Sequence, residues 1–323
     1  MSGALWAALA GVGFGLFQTT NRASIDDLDI YRSTFVQLLV SAGILVAASA
    51  ATEDLSQLGR APAWALVDFS FAGLVHFFVG WTLLNASQKR LGAARTSSLV
   101  ATTPLFGVVL AAVTLGEAPS ALALAGVGLV VAGVYVIGLE GLWHTQRVAQ
   151  PTAASRPQQP GPEPEPPGHS PGAAGTERFS WSATLFGLGT ALCWAVSPVF
   201  IRRGLEGLPS PLLGVAVSMV TSMVAYGVAL LARGGAGGAP VSGRAWAWKL
   251  TAGVFVGLST WARWYALALT PVAVVLGLGL LSVPTVIVLA PLVVGRHIER
   301  VTRLVVTGTA LIVGGALILI LRS

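Results

Sequence analysis

The sequence is poor in charge and nearly free of cysteine. Only 10% of its 323 residues are charged, whereas soluble globular chains carry about a quarter. The single cysteine, Cys193, excludes an internal disulfide, and no cluster of metal-ligating side chains is evident, so we expect no metal and no other cofactor. The first apolar segment lacks a preceding basic region and a small-residue cleavage site. This predicts a retained membrane helix and not a removed signal peptide.

What the chain does have is long apolar runs. Hydrophobic residues make up 54% of it, the mean hydropathy is +0.77, and runs of about 20 residues can cross a hydrocarbon core of about 30 Å. The net charge of +6 comes from basic residues at the ends of these runs, a distribution that does not favour nucleic-acid binding. We predict an all-α integral membrane protein with ten transmembrane helices: Ala4–Thr20, Tyr31–Ala51, Trp64–Leu84, Thr96–Leu115, Leu122–Leu139, Ser182–Ile201, Pro211–Ala232, Ala245–Leu269, Val272–Val294 and Leu304–Leu321.

A change of composition divides the chain. Residues Pro151 to Gly175 are dense in proline, glycine, alanine and glutamine, which predicts a disordered linker over residues 143–180. The flanking regions, 1–142 and 181–323, each hold five predicted spans. Because five is odd, two repeats in direct sequence order enter the membrane from opposite sides. We therefore expect two five-helix repeats of inverted topology.

One helix-turn-helix signature occurs twice in the chain. Each copy has a proline near the start of an apolar helix, a glutamate at the following turn and two glycines in the next helix. A helix with an aromatic stretch that ends in arginine is repeated as well, from Phe14 to Arg22 and from Trp194 to Arg202, at an offset of 180 residues. The two copies of the signature are Pro104, Glu117, Gly126 and Gly133, and Pro284, Glu299, Gly308 and Gly315.

These repeated features resemble the drug/metabolite transporter superfamily in its ten-helix form with two EamA-type repeats. The resemblance covers the chain except for the linker, and it departs from the family pattern at Arg296-His297, where Gly-Glu is usual. It implies a multi-pass permease of the cell (inner) membrane, a monomer or homodimer that most often exports amino acids, other metabolites or drugs. Related branches carry nucleotide sugars and sugar phosphates. The expected partners are a small-molecule substrate and the lipid bilayer, with predicted spans 1, 3, 4, 6, 8 and 9 around the pathway.

The basic residues predict an orientation in the membrane. Of the 19 Lys and Arg residues, 14 fall on the side of the linker, and the positive-inside rule then places the linker in the cytoplasm and both termini outside. Family members are often drawn with both termini in the cytoplasm, so the two arguments conflict and the orientation stays open. The five basic residues counted on the other side are Arg60, Arg202, Arg203, Arg263 and Arg322.

Two basic side chains within the predicted spans are the first candidates for a site. His76 lies near the middle of the third span, and Arg263 lies on the equivalent face of the eighth at the repeat offset of 180. Intramembrane charges are costly and usually functional, so this face is expected to line an aqueous cavity together with Thr260. Arg263 would favour an anionic group on the substrate, and His76 could couple transport to a proton. The alternatives are that Arg263 extends to the interface and that His76 bonds a neighbouring helix.

Further residues complete the predicted pathway. Prolines within apolar helices free a backbone carbonyl and mark hinges or gates, and glutamates just before a helix start are typical caps of exposed amide groups. No acidic side chain lies at mid-depth of a span, so a carboxylate relay is not evident. The pathway residues are Phe14, Gln18, Thr103, Trp194, Ser197 and Ser282, the hinge or gate residues are Pro104, Pro198 and Pro284, and the structural caps are Glu117 and Glu299.

Three classes of function are weighed. The favoured one is a secondary transporter that works by alternating access, with no covalent chemistry. An intramembrane enzyme would need a paired nucleophile and base or a metal cluster, and His76 has no acidic partner nearby in the sequence, so we expect no enzyme. A membrane scaffold or sensor that transports nothing remains open.

Overall fold

The chain folds as a bundle of helices in a computed structural model that describes residues 2–22, 30–87, 99–148, 181–233, 242–293 and 303–322. The described residues are 90% helical and contain no strand. Most of the predicted linker and the whole of the Glu299 turn lie outside these ranges. The first-half helices are α1 (Gly3–Arg22), α2 (Ile30–Thr52), α3 (Ser56–Arg60), α4 (Ala63–Ser87), α5 (Thr103–Leu115) and α6 (Ala121–Val148).

The second half of the chain forms a second group of helices. Its members are α7 (Trp181–Gly207), α8 (Pro211–Ala232), α9 (Gly243–Leu269), α10 (Val272–Gly279), α11 (Ser282–Val293) and α12 (Arg303–Arg322).

Most predicted spans agree with a helix to within a few residues, and α8 has the predicted bounds. Two predicted ends are wrong. Helix α6 runs to Val148, well past the predicted end at Leu139, and α7 continues through Pro198 to Gly207. The short helix α3 was not predicted either, because five residues are too few to show a period.

Two predicted spans are each interrupted by a turn. The fourth is broken at Ala101–Thr102, just before α5, and the ninth is broken at Leu280–Leu281, between α10 and α11. The breaks lie beside Pro104 and Pro284, where the missing proline N–H weakens the helical hydrogen-bond ladder. Helix α5 then ends at Gly116, whose φ of 66° is the left-handed conformation that a helix C-cap requires.

The outer surface of the bundle is apolar. Within the described residues, four helices are long and apolar enough to cross a membrane, and shorter apolar helices accompany them. The four are Tyr31–Thr52, Ala63–Ser87, Thr184–Gly207 and Pro211–Ala232. Large apolar side chains such as Val113 (80% exposed) and Leu231 (81% exposed) point outward. Water would penalise such a surface and hydrocarbon would not. The chain is therefore a multi-pass membrane protein.

Each half of the chain packs mainly against the other. Helix α1 contacts α9 and α11, and its counterpart α7 contacts α4 and α5; likewise α2 contacts α9, and α8 contacts α4. Helices α6 and α12 pair in an antiparallel manner, with Gly133 against Gly308 and Gly126 against Gly315. A Cβ on Gly133 would lie 2.5 Å from the Gly308 carbonyl oxygen, so the backbones approach as closely as glycine permits.

Candidate functional site

His76 lies at the contact between α4 and α7. Its Nδ1 is 2.8 Å from the hydroxyl oxygen of Ser197, its ring stacks on Trp194 at 5.4 Å, and the Trp194 indole N–H donates to the His76 carbonyl at 3.3 Å. A π-helical section of α4, Leu74–Gly80, contains His76. Such sections are frequent at functional sites. The structure thus brings together three of the predicted pathway residues, two from α7 and one from α4.

Aromatic rings extend this contact towards the first helix. Phe14 of α1 meets Trp194 edge-on at 5.8 Å and also contacts Phe17 at 5.2 Å. Phe17 in turn stacks on Trp81 of α4 at 5.9 Å. The predicted residue Phe14 therefore belongs to one continuous aromatic cluster that joins α1, α4 and α7.

Arg263 is half-buried in α9, and its Nη2 is fully buried without a hydrogen-bond partner. The guanidinium lies within electrostatic reach of the His76 ring. A side chain that extended to the interface would place its terminal nitrogens in water or among headgroups, and the burial of Nη2 does not fit that alternative. The aromatic neighbours Trp261 and Tyr265 pack on Trp6 of α1, at 5.9 and 5.1 Å.

The remaining predicted residues differ in their surroundings. Thr260, one turn before Arg263, is buried, and so is Ser282 beside the break between α10 and α11. Thr103 is buried and donates to the Val100 carbonyl of its own turn at 2.6 Å, so its hydroxyl is used locally. Gln18 is half-buried in α1.

The glycines on the face of His76 are packed, although this face was expected to line a cavity. A Cβ on Gly73 would collide with the Ser218 carbonyl of α8, and one on Gly80 would meet the Trp194 indole at 2.9 Å. On the equivalent face of α9, Gly253 fits against Val40 of α2. These glycines serve close helix contact, which leaves the polar groups of His76, Ser197 and Arg263 as the candidate site.

Glu117 lies at a junction between the two halves. Its Oε2 accepts a hydrogen bond from the Val272 N–H at 2.8 Å, and its Oε1 lies 2.9 Å from Arg202 Nη2. Arg202 also donates to the Leu267 carbonyl at 2.6 Å, at the C-terminus of α9. The sequence placed Glu117 as a cap on the helix that follows it. In the structure the carboxylate bonds the first N–H of α10, in the other half of the chain.

Lys249 is the polar residue that the sequence interpretation missed. The predicted eighth span contains it, yet it was counted among the 14 basic residues on the side of the linker. In the structure it lies inside α9 and is only 1% exposed. Its ammonium donates to the side-chain oxygens of Asn21 in α1 and Gln37 in α2. The only sequence signal is its position seven residues before Val256 and 14 before Arg263, which places the three on one face of α9.

The chain was compared with known proteins. None of the curated proteins searched matches it. Among solved structures, 27 chains match. One of them is a crystal structure of a protein that is 17% identical in sequence, with a TM-score of 0.68. The aligned region covers 98% of this chain and 94% of that protein's chain. That likeness shows a shared fold. Residues 1–139 match the model of the EamA-like transporter family, a match consistent with a permease of the drug/metabolite transporter superfamily.

Proposed function

We propose that the protein is a secondary carrier that exports small metabolites, such as amino acids or drugs, across the cell (inner) membrane by alternating access. Ten transmembrane spans form two five-helix repeats of inverted topology, and the pathway runs between them. The carrier needs no covalent chemistry, since the substrate only has to stabilise the outward-open and inward-open conformers differently.

The observation that carries the proposal is the reciprocal packing of the two halves. If each helix is replaced by its equivalent in the other half, the contact α1–α9 becomes α7–α4. In the same way, the contact α2–α9 becomes α8–α4, and all four contacts are present. Gly126 faces Gly315 while Gly133 faces Gly308, as expected when two related helices pair about a two-fold axis. Inverted repeats related in this way support carriers whose substrate sites lie near the midplane.

The contact of His76 with Trp194 and Ser197, here called the central contact, and the nearby α9 residue Arg263 supply polar groups for a substrate. Arg263 Nη2 is a buried donor without an acceptor among the described residues, and burying such a group costs free energy unless a ligand satisfies it. An amino-acid carboxylate fits that donor, and the stacked rings of Trp194 and His76 offer an aromatic surface at the contact between α4 and α7. His76 is the group that would couple transport to a proton, because its imidazole can bind and release one.

The broken helices supply the moving parts. At the break between α10 and α11 the backbone passes α1 so closely that a Cβ on Gly11 would overlap the Leu278 carbonyl. Interrupted helices at membrane depth are tolerated where their free carbonyls face protein or a cavity. Pro104 and Pro284, beside the two breaks, act as hinges at equivalent positions in the two repeats, and Pro198 inside α7 acts as a further hinge or gate.

Flux through the purified protein tests this proposal. Proteoliposomes loaded with labelled amino acids or with a fluorescent cationic drug would be compared with liposomes lacking protein. We expect saturable efflux of at least one solute and exchange stimulated by the same solute outside. Protein-free rates for every amino acid, drug, nucleotide sugar and sugar phosphate tried would contradict it.

Substitution of the central groups refines the test. Arg263→Gln should weaken the affinity for a carboxylate solute about tenfold or more, since a hydrogen bond to a charged group contributes about 1.5–3 kcal/mol. Arg60→Gln is the matched control, because Arg60 is exposed on α3. His76→Gln should flatten the pH dependence of transport if His76 carries the proton.

A further inference from the structure

Lys249 forms a second buried polar cluster, away from His76. The ammonium donates at 2.9 Å to Gln37 Oε1 and also to Asn21 Oδ1, so the cluster joins α9 to α2 and to the end of α1. Both Lys249 and Gln37 are almost fully buried, at 1% and 2% exposure. Neither residue takes part in the central contact described above.

The cluster has more donors than acceptors. A lysine ammonium has three N–H donors and no acceptor, and two of the three are used here. Because Lys249 can only donate, Gln37 must turn its Oε1 towards it, and this fixes the Nε2 amide group on the other side. That Nε2 is buried and has no hydrogen-bond partner. Two neighbouring buried groups therefore present N–H donors for which the described residues offer no acceptor.

The charge of Lys249 is also uncompensated within the part of the chain that the structure describes. Its two partners are neutral amides, and no carboxylate of these residues forms an ion pair with it. Taking a charge out of water without a counter-ion is costly, and two neutral hydrogen bonds do not offset that desolvation. An oxyanion would both neutralise the ammonium and accept from the free Nε2 of Gln37.

The position of Lys249 relates this cluster to the pathway. Lys249 and Arg263 share one face of α9, 14 residues apart, which is about 21 Å along the helix axis. Val256 lies between them and is fully buried. A solute that leaves Arg263 along this face of α9 would meet Lys249 at the far end.

We propose that Lys249 and Gln37 form a binding site for the oxyanion group, carboxylate or phosphate, of a transported solute at the end of the pathway where α1 terminates. The proposal rests on the proposed carrier function, because Lys249 is closed off in this structure and opens only when α1, α2 and α9 separate. The site makes anionic solutes the preferred substrate class.

Paired probes that differ only in the anionic group test the site. The thermal midpoint of the full-length protein in phosphatidylcholine nanodiscs would be measured with L-glutamate against L-glutamine, L-aspartate against L-asparagine, and inorganic phosphate against sodium chloride. A ligand that binds the folded state raises the midpoint by mass action. We expect at least one anionic member to raise it above its neutral or chloride partner, and the zwitterionic lipid excludes an anionic headgroup as the source.

Two variants assign that response to the cluster. Lys249→Met keeps the apolar stem and should abolish the difference between the paired probes. Gln37→Glu supplies an internal carboxylate, so it should raise the midpoint without any ligand and also abolish the difference. Arg60→Gln, on the exposed helix α3, should leave the difference intact.

Several results would overturn the assignment. They are a wild-type protein that responds to no anion, a Lys249→Met variant with the full response, or a Gln37→Glu variant whose ligand-free midpoint falls. The proposed function fails separately, through an absence of flux while the anion response persists. Flux of an anionic solute that is unchanged in Lys249→Met would contradict only the site.

Discussion

Replacing Glu117 should destabilise the protein more than any exposed charge substitution. Glu117→Ala removes the acceptor of the Val272 N–H, and the loss of a helix cap costs about 1 kcal/mol. It also leaves Arg202 without its carboxylate, and breaking a buried ion pair costs about 3–5 kcal/mol. That second cost is smaller here, because Arg202 is 28% exposed and keeps the Leu267 carbonyl as an acceptor.

The two contributions predict a loss of about 3 kcal/mol in the free energy of unfolding for Glu117→Ala, and about 2 kcal/mol for Glu117→Gln, which retains the cap. Reversible unfolding in mixed detergent micelles measures both. The control is Arg60→Met, which breaks an ion pair whose two side chains are 69% and 57% exposed. An exposed pair contributes at most about 1 kcal/mol.

A double-mutant cycle decides whether the junction acts as one unit. Glu117→Ala and Arg202→Met should together cost clearly less than the sum of the single losses, because each single variant already removes the shared ion pair. Additive losses, or a Glu117→Ala loss no larger than that of Arg60→Met, would refute the coupling of the two halves through this carboxylate.

Two further substitutions test helix contacts by the same unfolding measurement. Gly133→Ala should cost about 1–3 kcal/mol because its Cβ would meet the Gly308 carbonyl, whereas Gly128→Ala, with nothing within 4 Å, should be neutral or stabilising. Equal effects at both positions would contradict the close α6–α12 contact. Tyr226→Phe should cost about 1 kcal/mol because the buried hydroxyl bonds Thr82 at 3.0 Å, and Tyr265→Phe on the exposed side is its control.

The helices and their weak points could be predicted from the sequence because both depend on local signals. Apolar run length gave the bounds of Pro211–Ala232, and the prolines at positions 104 and 284 lie beside the turns that interrupt the fourth and ninth predicted spans. The repeated signature singled out the glycines at positions 126 and 133, and they lie against Gly315 and Gly308. Each of these inferences needed only the residues of one segment.

The polar clusters could not be predicted in the same way, because their partners are distant in the sequence. Lys249 meets Gln37 across 212 residues, and Glu117 meets Val272 across 155. A lysine near the start of an apolar run usually marks a helix end, and by that general rule Lys249 was counted with the basic residues on the side of the linker although the predicted eighth span contains it. Likewise, glycines on one face do not show whether that face is open or packed, and Gly73 is packed against α8.

Alternating access is the central claim, and site-directed cysteine labelling tests it most directly. The chain has one cysteine, so a Cys193→Ala background allows single probes at Thr20 and Thr270, two buried threonines. Thr270 contacts Gly3 at the start of α1, and Thr20 lies near its end, about 25 Å further along the helix. A saturating transported solute should raise the labelling rate of one probe by a membrane-impermeant maleimide and lower that of the other. A change in the same direction at both positions, or no change at either, would contradict the account.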